Sequence, residues 1–291
     1  MTFTTEATIA HYGGQLLKLK HDSIQTKTPM DLNIFLPPNM TEKTPVIIYL
    51  AGLTCTPQTG AEKSTITYHA AKHGFAVIFP DTSPRGANIK GEDDSWDLGT
   101  GAGFYVDAIT DDWKENYKMY SYIIDELLPL ISKEFPKIDI INNCSLTGHS
   151  MGGYGALMFY LRNPGKFKSV SAFAPIVNPS IVPWGEKCFG TYLGNDKSNW
   201  FEYDPCHLIK SYDGPINDIL IHVGDADLFD VRDGQLRCSN LVDAAKGTKL
   251  DGKIILNVQH NYDHSYYFVS SFMESVVEFH AKAAKEASPS N

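Results

Sequence analysis

Apolar and polar residues alternate over Gln15 to Lys20 and again over Met30 to Leu36, the period-two pattern of strands with one buried face. Val46 to Leu50 is instead an unbroken apolar run, as in strands covered on both faces. The sheet is therefore predicted to begin antiparallel and to turn parallel. From there strand-like and helix-like periods take turns. A helix is predicted near Glu62 to His73, a strand from Phe75 to Pro80, a helix near Tyr117 to Phe135, a strand near Cys144 to Thr147 and a helix opening after Ser150. Strands Ser169 to Ala174 and Ile219 to Val223 follow, then a helix near Gly234 to Ala245, a strand from Lys253 to Val258 and a last helix from Ser265 to Lys285. That alternation predicts an α/β fold: a doubly wound, mostly parallel central sheet with antiparallel N-terminal strands and helices on both faces. Two stretches, Asp81 to Asp107 and Pro175 to Pro215, are rich in Gly, Pro and aromatics and are predicted as long irregular loops, where lids and pocket walls are found. With no internal repeat or low-complexity linker, residues 1–291 are expected to form one domain.

Composition narrows the function more than the fold. The 25 basic and 34 acidic residues leave a net charge of −9 with no Lys/Arg cluster, which argues against nucleic acid or an anionic membrane as partner. The five cysteines, Cys55, Cys144, Cys188, Cys206 and Cys238, are scattered and odd in number, so reduced thiols and no structural zinc are expected. Met1 to Gly14 lacks the basic and apolar regions of a secretory signal, and no apolar run approaches the ~20 residues that span a bilayer. The tail Ala287 to Asn291 does not end in the peroxisomal Ser-Lys-Leu, and the Asn-X-Ser/Thr triplets at Asn39 and Asn143 are read as chance.

The strongest chemical signal is Gly148-His149-Ser150-Met151-Gly152, which follows a short apolar strand and opens a helical pattern, the setting of a nucleophile elbow. The turn is so tight that a Cβ at Gly148 or Gly152 would strike neighbouring backbone, and in return the Ser150 hydroxyl stands clear at the sheet end. A serine hydroxyl needs a histidine base and an acid to orient it, which in such a chain follow in the order acid, then His. The acid is sought after Ile219 to Val223, where Asp225, Asp227 and Asp230 compete, and position does not choose among them. The base is sought after Lys253 to Val258, where His260 and His264 compete. His264 stands directly before the last helix, the place such a base occupies. The oxyanion formed on attack needs backbone N–H donors, expected from Met151 and from Leu53 in the loop Ala51-Gly52-Leu53-Thr54-Cys55.

These residues resemble the S-formylglutathione hydrolase (esterase D) family of the α/β-hydrolase fold. The match runs through Gly52-Leu53-Thr54-Cys55, Pro80-Asp81-Thr82-Ser83-Pro84-Arg85-Gly86, Trp96-Asp97, Gly101-Ala102-Gly103-Phe104-Tyr105, Gly148 to Gly153, Ala174-Pro175-Ile176, Pro183-Trp184-Gly185, Tyr192-Leu193-Gly194 and Asp263-His264-Ser265-Tyr266-Tyr267-Phe268. The resemblance implies Ser150 as nucleophile, Asp227 as acid and His264 as base. It also implies hydrolysis of the thioester S-formylglutathione to glutathione and formate, a formaldehyde-detoxification step, by a cytoplasmic homodimer without cofactor or metal. The chain departs from the family pattern at Ala51, where Ser is frequent, at Thr65, where Gly is common after Lys63-Ser64, and at His260-Asn261, which replaces a Gly-containing pair.

A formyl group is the smallest acyl group, so a narrow pocket is expected, walled by Trp184 with Phe104 or Trp96, each of which has a competing reading as core. Glutathione is anionic, so an acidic protein needs local positive charge, for which Lys63, Arg85, Lys90 and Lys187 are candidates. Cys55, two residues after Leu53, is the candidate thiol whose modification or binding of a soft metal would inhibit. A broad carboxylesterase or an acyltransferase could use the same triad. A non-catalytic binding scaffold fits poorly with three occupied triad positions.

Overall fold

The N-terminal alternating segments form an antiparallel ribbon in which β1 (Thr4–His11) pairs β2 (Gly14–Asp22) and β2 pairs β3 (Pro29–Leu36). The ribbon joins a parallel array of β4 (Val46–Leu50), β5 (Ala76–Pro80), β6 (Cys144–Gly148), β7 (Val170–Phe173), β8 (Ile219–Gly224) and β9 (Ile254–Gln259). The nine strands lie in the order β1-β2-β3-β5-β4-β6-β7-β8-β9, with β3 antiparallel to β5. This is the expected α/β-hydrolase arrangement. The structure, a computed structural model, describes residues 2–286, so the polar tail Ala287 to Asn291 lies outside the described residues.

From β4 the chain steps to β5 on one side, then returns past β4 to β6 on the other. With right-handed crossovers the two steps put their helices on opposite faces. One face carries α1 (Pro57–Lys63) and α2 (Ile66–His73). The opposite face carries α3 (Met119–Ser121), a π turn at Tyr122–Leu127, α4 (Leu128–Glu134) and α5 (Met151–Arg162). Four short helices follow: α6 (Pro183–Leu193), α7 (Lys197–Phe201), α8 (Pro205–Leu208) and α9 (Leu228–Val231). Then come α10 (Ser239–Ala245) and α11 (Tyr266–Lys285), and α11 packs on α2 and on the backs of β7 and β8. No helix among the described residues is long and apolar enough to cross a membrane.

Strands β4 to β8 are buried at every position, which is why they read as unbroken apolar runs. Where polar groups enter this core they are paired with one another. His280 of α11 bonds Ser169 Oγ through Nδ1 at 2.7 Å and Ser171 Oγ through Nε2 at 2.8 Å. Ser145 and Thr147 of β6 join the same network at 2.8 Å. Burial holds the His280 imidazole down at about 3, so it stays neutral, tying α11 to β7 and, through its serines, to β6, the strand that leads to the elbow.

One strand left no mark in the sequence pattern, and two expectations need correction. Strand β1 has no sequence signature because, as an exposed edge strand, it has no buried face to impose alternation. The helix expected over Glu62 to His73 is two helices, α1 and α2. The break falls at Ser64-Thr65, where Thr65 has φ +61°, the left-handed conformation that suits the family's glycine. Pro175 to Pro215 is not an irregular loop. Pro183 and Pro205 stand at the first turns of α6 and α8, and Asp196 and Asp204 cap α7 and α8 with their carboxylates. Asp81 to Asp107, by contrast, contains no regular helix or strand longer than an isolated bridge.

Candidate active site

All parallel strands end on one edge of the sheet, and the reversal of strand order at β4 opens a crevice there. The loops after β4, β6, β8 and β9 meet in it. Ser150, between β6 and α5, has φ +59° and ψ −120°, a strained conformation for a side chain with a Cβ. It is held by its N–H, which donates to the Phe173 carbonyl at 2.9 Å, and by its carbonyl, which accepts from Tyr154 N–H at 3.0 Å. A Cβ at Gly148 would come 2.2 Å from the Gly152 carbonyl oxygen, and one at Gly152 would come 2.0 Å from that of Leu50. Glycine at both positions is thus a steric requirement of the turn.

The loops after β8 and β9 bring together two Asp–His pairs. Asp227 Oδ2 accepts from His264 Nδ1 at 2.5 Å, with the carboxylate side chain fully buried and the imidazole 16% exposed. The other oxygen, Oδ1, caps α9 by accepting from Phe229 N–H at 2.9 Å, so the carboxylate cannot turn away from the histidine. Asp225 and His260, the competing candidates, pair with each other at 2.9 Å on the surface, 41% and 83% exposed. Asp225 also accepts from Asn261 N–H at 2.7 Å, and these hydrogen bonds, His260 first, hold its carboxyl below the ordinary range. Asp230 accepts from Arg237 N–H at 3.0 Å as a turn former. Only His264 lies against the elbow, its ring 4.6 Å from that of His149 and edge-on to Phe229 at 4.8 Å.

The loop after β4 runs directly against the nucleophile: a Cβ at Gly52 would lie 3.1 Å from Ser150 Cβ and 3.8 Å from its Oγ. Its neighbouring amides are occupied, Thr54 N–H by the Gly101 carbonyl at 2.9 Å and Cys55 N–H by that of Gly52 at 3.2 Å. At the elbow, Gly152 N–H is bonded to the His149 carbonyl at 2.8 Å. The Leu53 and Met151 amides have no acceptor among the described residues. Sequence reasoning missed what fixes this loop. Thr82 Oγ1 and Arg85 Nη2 donate to the Cys55 carbonyl at 2.6 and 3.1 Å, while Asp81 holds Arg85 through both oxygens at 2.8 and 2.9 Å. Tyr105 donates its hydroxyl to the Ala51 carbonyl at 2.9 Å. Asp81, Thr82, Arg85 and Tyr105 all lie in the quoted family blocks, the one signal that pointed at them.

The remaining candidates separate cleanly. Trp184 is buried beneath Trp96, with ring centroids 5.6 Å apart, and packs on Phe229 at 4.9 Å. Trp96 is 54% exposed, so these rings form a wall from the surface down to His264. Phe104 is not in that wall: it is enclosed by Tyr154 and Phe189 as core. Arg85 is committed to Asp81 and the Cys55 carbonyl. Lys187 is committed to Asp97 at 2.5 Å and Ser95 Oγ at 2.8 Å, which tethers the segment carrying Trp96 to α6. Lys63 and Lys90 are exposed and carry no ion pair among the described residues. Cys55 is half-buried, and burial pushes its thiol up, against smaller opposing effects that include the nearby Lys63 charge.

Known proteins share this sequence and this fold. The Esterase family model matches residues 23–280. An S-formylglutathione hydrolase of Bos taurus is 51% identical over 272 residues, covering 93% of this chain and 95% of its own. One of Saccharomyces cerevisiae is 46% identical over 286 residues, with 93% and 95% covered. The solved structure of an S-formylglutathione hydrolase from Agrobacterium tumefaciens superimposes with a TM-score of 0.91 at 40% identity, covering 98% of this chain and all of the other. The chain belongs to the esterase family and, within it, to the S-formylglutathione hydrolases.

Proposed function

We propose that the protein is a serine hydrolase that cleaves S-formylglutathione to glutathione and formate through a formyl-enzyme, with Ser150 as nucleophile, His264 as base and Asp227 as its orienting acid. The observation that carries the assignment is the buried 2.5 Å Asp227–His264 hydrogen bond beside a strained serine turn. His264 Nε2 takes the Ser150 proton as Oγ attacks the formyl carbon, and Asp227 stabilises the imidazolium at Nδ1. The unoccupied Leu53 and Met151 amides bind the oxyanion. Collapse breaks the C–S bond, and the imidazolium gives its proton to the departing sulfur. In the second half His264 takes a proton from water as the water oxygen attacks the formyl ester, and returns it to Ser150 as formate leaves. The reaction balances with water as the only co-reactant.

Trp96 and Trp184 are the proposed pocket wall, and Lys63, near Cys55, is the proposed contact for a glutathione carboxylate. Modification of the Cys55 thiol crowds the oxyanion loop and inhibits. The reading is completed by a one-domain chain, supported by one continuous sheet, in the cytoplasm, supported by five free thiols, and by the homodimer that the family resemblance implies. Sedimentation of the purified protein tests the dimer. The function is tested by kcat/KM for formyl, acetyl and larger glutathione thioesters and for simple esters, with Ser150→Ala as control. Preference for the formyl thioester, abolished in the variant, is expected. Equal or greater preference for simple esters would favour a broad carboxylesterase, and activity surviving in Ser150→Ala would remove the nucleophile.

A further inference from the structure

His149, inside the elbow, has a role that the triad does not assign to it. Its backbone is fixed on both sides: its N–H donates to the Leu50 carbonyl at 3.1 Å and its carbonyl accepts from Gly152 N–H at 2.8 Å. The side chain therefore leaves the turn from a set position, almost entirely buried. Its ring lies 4.6 Å from the His264 ring at 39° and 5.2 Å from the Tyr266 ring at 67°. Its Nε2 is shielded from solvent and has no hydrogen-bond partner among the described residues. A buried polar atom without a partner is destabilising by about 1–3 kcal/mol, which an apolar residue of similar size would avoid. What carries function at this position is the ring face set against the base, a contact that does not depend on Nε2.

Asp227 grips His264 at Nδ1 only, and an imidazole held at one nitrogen can still swing about that hydrogen bond, carrying Nε2 out of line with Ser150. Ring contacts remove that freedom. Phe229 supplies one, edge-on at 82°, and His149 supplies another. We propose that His149 is a positioning residue that holds the His264 ring in line for proton transfer with Ser150. Being on the same turn as the nucleophile, it ties the base to the serine directly, so that small movements of the elbow move both together. Burial first, then the nearby His264, hold the His149 imidazole well below its ordinary range, so it remains neutral and adds no repulsion when His264 becomes charged.

The inference rests on His264 being the base, and the experiment keeps the two claims apart. His149→Phe retains a flat ring, whereas His149→Leu retains volume without one. His149→Met replaces the latter if it is not recovered folded. Expected for His149→Phe is kcat within about threefold of wild type. Expected for His149→Leu is a loss of kcat of about ten- to a hundredfold with KM nearly unchanged, because alignment for the chemical step is lost and binding is not. The far-downfield proton resonance of the Asp227–His264 hydrogen bond should persist in the Phe variant and broaden in the Leu variant. Equal kcat in the two variants, or a Leu defect confined to KM, overturns the proposal. His264→Ala is run alongside: if it keeps wild-type activity, the assignment of the base itself has failed.

Discussion

The loops after β8 and β9 offer an aspartate and a histidine twice over, and the two resulting pairs differ in almost everything except chemistry. Asp225–His260 sits at the surface, where water screens the attraction and either side chain can be solvated. Asp227–His264 is enclosed, its carboxylate out of reach of water, with each oxygen assigned to one donor. In the exposed pair the hydrogen bond clasps the loop after β8 to the loop after β9. In the buried pair it fixes a tautomer: a proton held on Nδ1 leaves Nε2 free to accept one. Identical residue types thus become the proposed catalytic pair or a surface clasp according to burial and to what the far edge of the imidazole meets.

Replacing the two histidines should separate the pairs most widely. His264→Ala is expected to lower kcat by about a thousandfold or more with the fold intact, and His260→Ala to leave kcat within about twofold. Comparable losses in both would collapse the distinction. The acids follow with a smaller contrast. Asp227→Asn should lower kcat by a hundredfold or more, on the order of 10²–10⁴, because the wrong tautomer is then stabilised, while Asp225→Asn should be mild. A greater loss in Asp225→Asn would exchange their roles.

Beyond the two pairs, the buried histidines of the core should show in the pH dependence of stability. Burial moves His222 from its ordinary 6.5 to about 4 and His280 to about 3. Below the ordinary value the unfolded chain takes up protons on these rings that the folded chain does not. Their contribution is therefore complete above it and is lost as the pH falls towards their folded values, at about 1.4 kcal/mol per pH unit for each. Thermal unfolding from pH 7 to 4.5 should show a shallower dependence in His280→Gln than in wild type. An unaltered slope in His280→Gln would contradict the buried-neutral assignment.

The smallest contrast concerns backbone. Thr65 and Asn261 both adopt left-handed φ, +61° and +63°, at positions where the chain departs from family patterns that contain glycine. Asparagine tolerates that region and a β-branched residue does not, so Thr65→Gly should stabilise by about 0.5–1 kcal/mol and Asn261→Gly by much less. Denaturant midpoints measure this, and destabilisation by Thr65→Gly would show that its side chain is needed in place.

Periodicity and glycine placement determined much of this protein. The parallel strands are legible because burial on both faces demands apolar residues at every position, and the elbow because Gly148 and Gly152 stand where any Cβ meets a carbonyl oxygen. Such constraints act within a few residues and so leave a local trace. Strand β1 and the helices of Pro175 to Pro215 left a weaker one, the first exposed, the second short and cap-driven. Placement before the last helix favours His264 over His260, but position leaves the aspartates open, and Asp227 is implied by the family resemblance alone. Asp225, Asp227 and Asp230 crowd into one short loop and His260 and His264 into another, so which pair faces Ser150 depends on how residues from distant strands are set together. Only the tertiary structure decides that: burial and the second hydrogen bond of each carboxylate are properties of loops meeting in space, and so is the ring of His149 against His264.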